Sequence, residues 1–180
     1  RGMQREGTPF KGVLYAGLMI TDQGPQVLEY NVRFGDPEAQ AVLPRLKNDL
    51  LDVMLAGCEG RLKDVELTWD QRSCVCVVMS SGGYPGKFET GYEISGLYSA
   101  HEETDTCVFH AGTKQEGQKV VTAGGRVLGV VSLGEGIKTA INKAYAVVDH
   151  IKFEHCFFRR DIGARALRRL NQKQHFSTLI

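Results

Sequence analysis

Three polar side chains stand at alternate positions of one short run near the start of the sequence, Glu29, Asn31 and Arg33. Successive side chains of a β-strand point to opposite faces, and two residues advance a strand by about 7 Å. On a strand, these three groups therefore lie on one face at that spacing. Magnesium prefers oxygen ligands and takes one or two protein groups together with substrate phosphates. The pattern would therefore suit a magnesium site formed by Glu29 and Asn31.

The residues that follow suit the binding of an anion. Arg33 can hold a carboxylate or a phosphate in a bidentate manner, and Gly35 lets backbone approach a ligand closely. Asp36 followed by Pro37 is typical of a helix start, where backbone N–H groups donate to anions. On residue types alone, however, a solvated strand face with a Glu–Arg charge pair explains the same run and is the favoured interpretation.

Two strands and two helices are expected to position these residues. Residues 13–20 and 27–34 are strand-like and flank a turn, which is a hairpin signal. A helix from Asp36 should break at Pro44, because proline cannot continue it. A second helix is predicted over 49–58. Its expected N-cap is Asn48, and Gly60 suits its end. The hairpin and this helix should each bury one apolar face, formed by Leu28, Tyr30, Val32 and Phe34 on the hairpin and by Leu51, Met54, Leu55 and Cys58 on the helix.

The region after residue 70 is richer in strands. A helix with one apolar face should begin near Ile137, and Asp161 should cap a final helix that ends at Leu170. Gly124 and Gly125 are predicted to turn between the last two strands before the first of these helices. The fold class is therefore α+β with mainly antiparallel sheet. The predicted strands cover residues 74–79, 93–97, 107–111, 119–122, 126–132 and 155–159.

Composition limits the classes of partner. The 22 basic and 21 acidic residues give a net charge of +1, which offers no general attraction for nucleic acid or a membrane surface. The arginines at 159, 160, 165, 168 and 169 form a short basic cluster, interpreted as a solvated face rather than a nucleic-acid site. No apolar run reaches the roughly 18 residues of a membrane span. The five cysteines are interpreted as reduced core thiols, which fits the cytoplasm.

Residues 29–40 read E-Y-N-V-R-F-G-D-P-E-A-Q and resemble the E-[FY]-N-x-R-F-G-D-P-E-x-Q signature of the phosphoribosylamine–glycine ligase (glycinamide ribonucleotide synthetase) family of ATP-grasp enzymes. The resemblance covers nearly the whole chain. Two positions depart from the family pattern, because Arg160 stands where lysine is usual and Ala164 where a bulky residue is frequent. Further blocks in family order lie at residues 15–20, 83–86, 110–113, 124–128 and 160–163.

The resemblance implies an ATP-dependent ligation of glycine to 5-phosphoribosylamine in purine biosynthesis, by way of glycyl phosphate. It implies that Glu29 and Asn31 bind Mg²⁺ or Mn²⁺, that Arg33 has a catalytic role in orienting an anionic group, and that Gly35 and Asp36 join Arg33 in binding substrate. His110 and Arg126 fall in later family blocks, but a structural role at a strand end is the favoured interpretation of His110. Arg126, taken alone, is interpreted as a hairpin arginine.

The family is more than twice as long as this chain, and the chain starts at Arg1 as if in the middle of a domain. The resemblance therefore implies that residues 1–70 are the carboxy-terminal part of an ATP-grasp domain and residues 71–180 a carboxy-terminal α+β domain. The missing amino-terminal half of the enzyme is then a partner. Two alternatives stay open: an ATP-grasp ligase for another carboxylate and amine, and a non-catalytic folding or partner-binding fragment.

Overall fold

The computed structural model of the protein describes residues 2–98 and 104–177, the last seven of these by backbone alone. The chain divides into two compact units, Arg1–Asp70 and Gln71–Ile180. All paired strands are antiparallel and helices accompany them in both units, which confirms the α+β class. No described helix has the length and the apolar character that crossing a membrane requires.

The first unit is built on the predicted hairpin. A short helix, α1 (Gly2–Arg5), precedes strands β1 (Tyr15–Thr21) and β2 (Gly24–Asn31), which pair antiparallel. Gly17 pairs with Glu29 but Leu18 pairs with Val27, so Leu28 is an extra residue in a β-bulge. The prediction that the strand continues to Phe34 is wrong, because the chain bends after Asn31 and Arg33 lies outside the ladder.

Two α-helices and two 3₁₀ turns, Leu43–Arg45 and Leu62–Asp64, follow the hairpin, and the N-caps of the two helices differ from the predicted ones. Helix α2 (Glu38–Val42) has Pro37 at its N-cap position, and no side chain caps it. The Asp36 carboxylate does not cap the helix but accepts from Gln40 Nε2 at 3.1 Å. Pro44 ends α2 as predicted, within the 3₁₀ turn Leu43–Arg45.

Helix α3 (Leu50–Glu59) is capped by Asp49, whose side chain accepts from the backbone N–H of Leu51, and Gly60 ends it in the left-handed conformation. The predicted cap, Asn48, has another use. Its amide donates to the carbonyl of Glu66 at 3.0 Å and accepts from the N–H of Thr68 at 2.7 Å, so it joins two loops.

The apolar faces of the first unit are open. Leu28, Tyr30 and Val32 are 65%, 63% and 69% exposed, and Leu51, Met54, Leu55 and Cys58 on α3 are exposed as well. Phe34 is half-buried. The predicted burial of these faces is therefore wrong in this chain, since no described element of the unit covers them. Among its described residues, Ala56 is the one buried apolar side chain.

The second unit has a four-stranded sheet with the strand order β4-β7-β3-β8 and a separate hairpin of β5 and β6. Two helices, α4 and α5, complete it. The strands are β3 (Ser73–Ser81), β4 (Thr106–His110), β5 (Thr113–Glu116), β6 (Lys119–Thr122), β7 (Arg126–Gly134) and β8 (Cys156–Phe157), and the helices are α4 (Ile137–His150) and α5 (Ala164–Ser177).

Helix α4 packs on β3 and β7 and closes the core. Val77, Val130 and Val147 are fully buried there. The predicted apolar face of α4 is confirmed. Ala140, Ala144, Val148 and Ile151 are buried, and Ile137 and Ile141 pack against them half-buried. A sheet with buried strand residues under a helix of periodic apolar residues forms a hydrophobic core within this unit.

Several predictions for the second unit are wrong in detail. Strand β6 pairs with β5 rather than with β7, so Gly124 and Gly125 do not form a hairpin turn. Gly124 instead packs against the backbone of Gly112, and a β-carbon on Gly125 would overlap the ring of Tyr84. The predicted strand 93–97 is reduced to isolated bridges at two of its residues, and β5 was not predicted.

The carboxy-terminal helix also differs from its prediction. Helix α5 begins at Ala164, three residues after the expected cap Asp161, and extends to Ser177 rather than Leu170. The Asp161 carboxylate accepts from the guanidinium of Arg159 instead of capping the helix.

The five cysteines are free thiols, but the core assignment fails for two of them. Cys58 and Cys107 are exposed, and the other three are half-buried. Burial raises the pKa of Cys156 to about 11.

Candidate functional site

The pair Glu29 and Asn31 lies on one face of β2, as the alternation predicts. The amide nitrogen of Asn31 donates to Glu29 Oε1 at 3.0 Å. The bulge at Leu28 lies before Glu29 and leaves this part of the strand regular. Gly17 lies opposite Glu29 on β1, and a β-carbon there would come within 3.1 Å of Glu29 Cγ. The glycine thus makes room for the carboxylate over the hairpin.

A second carboxylate borders this pair. Tyr15, which pairs with Asn31 across the hairpin, forms a hydrogen bond with Glu38. Partial burial raises the pKa of the Tyr15 hydroxyl, and the negative charges of Glu38 and Glu29 raise it further. Both carboxylates therefore act on one phenol group. The region is negatively charged, which favours a cation.

The sequence pattern did not single out Glu38 as a site residue, although Glu38 belongs to the same run. Its carboxylate lies over Gly35, where a β-carbon would overlap Glu38 Oε2. Gly35 is buried and its carbonyl accepts from the N–H of Ala39 at 3.0 Å. The space that its missing side chain leaves is thus filled by Glu38 and not by the ligand that the sequence pattern predicted there.

The remaining predicted residues stand apart from the pair. Arg33 is exposed and its guanidinium donates to the carbonyl of Phe34 at 2.9 Å. No ion pair joins Arg33 to Glu29 in the part of the chain that the structure describes. Asp36 is exposed and is bonded to Gln40. The structure thus brings Glu29 and Asn31 together and places Arg33 and Asp36 beyond the end of the strand.

The donor chemistry of the pair fits magnesium. A carboxylate and an amide oxygen are two hard ligands, and magnesium completes its shell with water and substrate oxygens. Among the described side chains, those of residues 2–98 and 104–170, no group of three or more His, Cys, Asp or Glu could hold a metal ion. Two protein ligands of this kind leave most of the coordination shell to a bound substrate.

His110 and Arg126 each have a local structural contact. His110 Nδ1 lies 3.0 Å from Thr113 Oγ1 at the exposed end of β4. The Arg126 guanidinium lies 6.0 Å from the centre of the Tyr84 ring. These contacts account for the two side chains without assigning them a ligand.

Two family models match the chain. The model described as "Phosphoribosylglycinamide synthetase, ATP-grasp (A) domain" matches residues 1–39, which include Glu29, Asn31 and Glu38. The model described as "Phosphoribosylglycinamide synthetase, C domain" matches residues 74–165.

Curated relatives carry the name phosphoribosylamine–glycine ligase. One from Caldanaerobacter subterraneus is 49% identical over 162 residues, which are 90% of this chain and 38% of the relative. One from Escherichia coli O6:H1 is 50% identical over 171 residues, 94% of this chain and 40% of the relative. The chain thus spans about two fifths of the length of the curated relatives that it matches.

Solved structures agree. The phosphoribosylamine–glycine ligase of Thermotoga maritima matches with a TM-score of 0.76 and 36% identity, over 89% of this chain and 39% of that one. The N5-carboxyaminoimidazole ribonucleotide synthetase of the same organism is 14% identical with a TM-score of 0.54, over 79% of this chain and 37% of that one, which is a likeness of fold alone. Because the C-domain model matches just over half of the 180 residues, the chain belongs to the phosphoribosylglycinamide synthetase family.

Proposed function

We propose that this chain takes part in the ATP-driven ligation of glycine to 5-phosphoribosylamine, a step of purine biosynthesis in the cytoplasm. ATP transfers its terminal phosphoryl group to the glycine carboxylate, giving glycyl phosphate and ADP. The amine of phosphoribosylamine then attacks the acyl carbon, and phosphate leaves. The products are glycinamide ribonucleotide, ADP and phosphate.

One observation carries the proposal beyond family membership: the hydrogen-bonded pair Glu29–Asn31 in the segment that matches the ATP-grasp model. Glu29 and Asn31 would hold Mg²⁺ or Mn²⁺, which neutralises charge on the phosphates of ATP when it is bound. The bond from Asn31 Nδ2 to Glu29 Oε1 holds the two side chains next to each other on one face of the strand. The Tyr15–Glu38 bond fixes a second negative charge beside the pair.

Arg33, Gly35 and Asp36 have the supporting roles in this proposal. Arg33 lies in an exposed bend beyond β2, where its guanidinium can exchange the Phe34 carbonyl for an anionic substrate group. Gly35 and Asp36 set the path of the backbone into α2, since Gly35 admits the carboxylate of Glu38 and Asp36 bonds to Gln40. The proposed catalysis is positioning and charge stabilisation rather than covalent chemistry by the protein.

The portion of the curated relatives that this chain does not span would supply the rest of the nucleotide site. The proposal therefore includes a division of labour, in which this chain contributes metal ligands and an anion-orienting arginine. The two-residue metal site depends on substrate phosphates for its remaining ligands. We expect this chain alone to bind ATP weakly and to lack ligase turnover.

The test joins this chain to the preceding portion of the Escherichia coli relative. Glycine-dependent ADP release is measured with phosphoribosylamine generated in place, for the joined protein and for the 180-residue chain. We expect turnover from the joined protein that requires glycine, phosphoribosylamine and magnesium together, and none from the chain.

Two outcomes of this assay would contradict the proposal. Turnover by the chain alone at the rate of a complete ligase would show that the nucleotide site is not divided. A folded joined protein that releases no ADP with glycine, while the complete Escherichia coli relative does so under the same conditions, would favour the non-catalytic alternative.

A further inference from the structure

A polar cleft of about 360 Å³ lies in the second unit where the chain enters α5. Three of the six residues that line it are arginines and one is an aspartate. The lining residues are Arg159, Asp161, Ile162, Gly163, Arg165 and Arg168.

The residues that line this cleft carry more positive than negative charge. Arg159 donates to both oxygens of Asp161, at 2.8 and 2.6 Å, so the single carboxylate is already paired. Three guanidinium groups against one carboxylate leave two positive charges. Arg165 and Arg168 form no hydrogen bond or ion pair with any residue that the structure describes. Because they are three positions apart on a helix, they lie on the same side of α5.

The loop that carries the cleft is held in place by α4. The Tyr145 hydroxyl donates to the carbonyl of Arg159 at 2.6 Å and accepts from the N–H of Ile162 at 3.1 Å. Gly163 has a positive φ of 82°, and a β-carbon there would come within 2.5 Å of Ile141 Cδ1. The backbone under the arginines is thus fixed before any ligand binds, which lowers the entropic cost of binding.

The neighbouring arginines have a different environment. Arg160 forms an ion pair with Asp149 at 3.2 Å, and its guanidinium lies 4.7 Å from the centre of the Phe158 ring. Arg169 is exposed and does not line the cleft. The cluster therefore separates into arginines with a structural contact, an arginine that does not line the cleft, and two that line it without a hydrogen bond or ion pair to a described residue.

We propose that Arg165 and Arg168 bind the dianion of a phosphate monoester in this cleft, with the Arg159–Asp161 pair as its fixed wall. Guanidinium groups bind phosphate through paired N–H donors, so two of them can engage several phosphate oxygens at once. The anion site stands on the geometry of the cleft alone. Its assignment to the 5-phosphate of the sugar substrate, rather than to inorganic phosphate, rests on the proposed function.

The test is equilibrium binding to the 180-residue chain by calorimetry, with ribose 5-phosphate, inorganic phosphate and uncharged ribose as probes. We expect saturable binding of ribose 5-phosphate and none of ribose. The double variant Arg165→Ala/Arg168→Ala should bind ribose 5-phosphate at least about tenfold more weakly, because it loses charge-assisted hydrogen bonds. The matched control Arg169→Ala removes the same charge from the same helix and should stay within about twofold of the wild type.

A second variant, Arg165→Lys/Arg168→Lys, keeps the charge but loses the paired donors, and circular dichroism verifies that each variant is folded. Intermediate affinity of this lysine variant supports recognition by the guanidinium fork. Tighter binding of ribose 5-phosphate than of inorganic phosphate supports the sugar substrate as the source, and equal binding supports a site for the phosphate group alone.

Three results would overturn the site: no saturable binding by the wild type, unchanged binding by the folded double alanine variant, or an equal loss in Arg169→Ala. If the 180-residue chain binds phosphate as expected but the joined protein has no ligase turnover, the result would count against the proposed function and not against this site.

Discussion

The two units of this chain use apolar residues in opposite ways. In the second unit, Val77, Val130 and Val147 are fully buried between a sheet and α4. In the first unit, Leu28 and Tyr30 stand mostly exposed on a two-stranded sheet, and Val32 is mostly exposed directly after it. Ala56 is the one buried apolar residue that the structure describes there. The pair Glu29–Asn31, proposed to hold the metal, thus lies on the unit that buries little of its own apolar surface.

The second unit thus has a hydrophobic core of its own, whereas the first unit carries the candidate site on a hairpin with little core. A two-stranded hairpin is marginally stable by itself and needs further strands or a helix against one face. The second unit meets that requirement within its own residues, whereas the hairpin of the first unit does not. The proposed division of labour follows the same line, because the family's curated relatives are longer than this chain by more than a factor of two.

The largest expected effect on stability comes from shortening a buried leucine of the second unit, compared with an exposed leucine of the first unit. Leu128 is 1% exposed on β7 and Leu28 is 65% exposed on β2. Leu128→Ala should lower the free energy of unfolding of the second unit by about 3 kcal/mol, because it leaves a cavity. Leu28→Ala should change that of the first unit by less than about 0.5 kcal/mol.

Urea unfolding of the 180-residue chain measures both leucine effects. Trp69 is the sole tryptophan and reports on the first unit, while far-ultraviolet circular dichroism follows α4. A large loss for Leu28→Ala would show that the hairpin face is covered in solution.

The second prediction concerns catalysis rather than stability. In the joined protein, Glu29→Gln should lower glycine-dependent ADP release by at least about two orders of magnitude, since a charged metal ligand is lost. The free energy of unfolding should stay near that of the parent, because Glu29 is exposed. Glu66→Gln, an exposed carboxylate of the same unit, is the matched control and should keep full turnover. Near-normal turnover of Glu29→Gln at limiting magnesium would argue against the metal assignment.

The third prediction separates two neighbouring polar residues at the start of α3. Asp49→Ala should lower the free energy of unfolding of the first unit by about 1 kcal/mol, as loss of an N-cap does. The same substitution should speed hydrogen exchange at the N–H of Leu51, because this N–H donates to the Asp49 carboxylate in the wild type. Asn48→Ala should instead speed exchange at the N–H of Thr68. The reverse pattern would restore Asn48 as the cap of the helix.

Sequence patterns predicted the local features of the site and missed its surroundings. The alternation of Glu29 and Asn31 is visible as a period of two, and their side chains do meet. Glu38 was missed because it lies beyond the strand, and its approach to Tyr15 depends on how the chain bends after Asn31. No local pattern encodes such a bend. The resemblance of residues 29–40 to a family signature supplied the function class that alternation alone did not.

The fold shows the same limit. The 3.6-residue periodicity of α4 predicted its buried face, because a long amphipathic helix repeats the signal several times. The partner of β6 could not be predicted, since pairing with β5 or with β7 depends on contacts that are distant in sequence. Gly124 and Gly125 were assigned to a turn, whereas they permit close packing against Gly112 and Tyr84. A glycine signals that space is needed but not which group fills it.

The smallest expected effect tests an ion-pair cluster that the second unit has in addition to its core. Asp105 accepts from Arg72 at 2.7 Å and from Lys143 at 3.0 Å. The hydrogen bond from Arg72, followed by that from Lys143, lowers the pKa of Asp105 below its ordinary 3.8. A carboxylate with a lowered pKa in the folded state contributes stability above its unfolded pKa and loses it as the pH falls through the folded value.

Asp105→Asn should therefore destabilise the second unit slightly at neutral pH, and the difference from the wild type should disappear in acid, well below pH 3.8. Asparagine tolerates the positive φ of 65° at this position, so the variant changes the charge and not the backbone. Urea midpoints from neutral pH to below the ordinary value of the carboxyl group measure the effect. Asp22→Asn on the hairpin turn of the first unit, whose carboxylate forms no ion pair with a described residue, is the control and should leave the pH dependence unchanged. A constant difference between Asp105→Asn and the wild type at every pH would mean that packing, rather than the carboxylate charge, links Arg72 to Lys143.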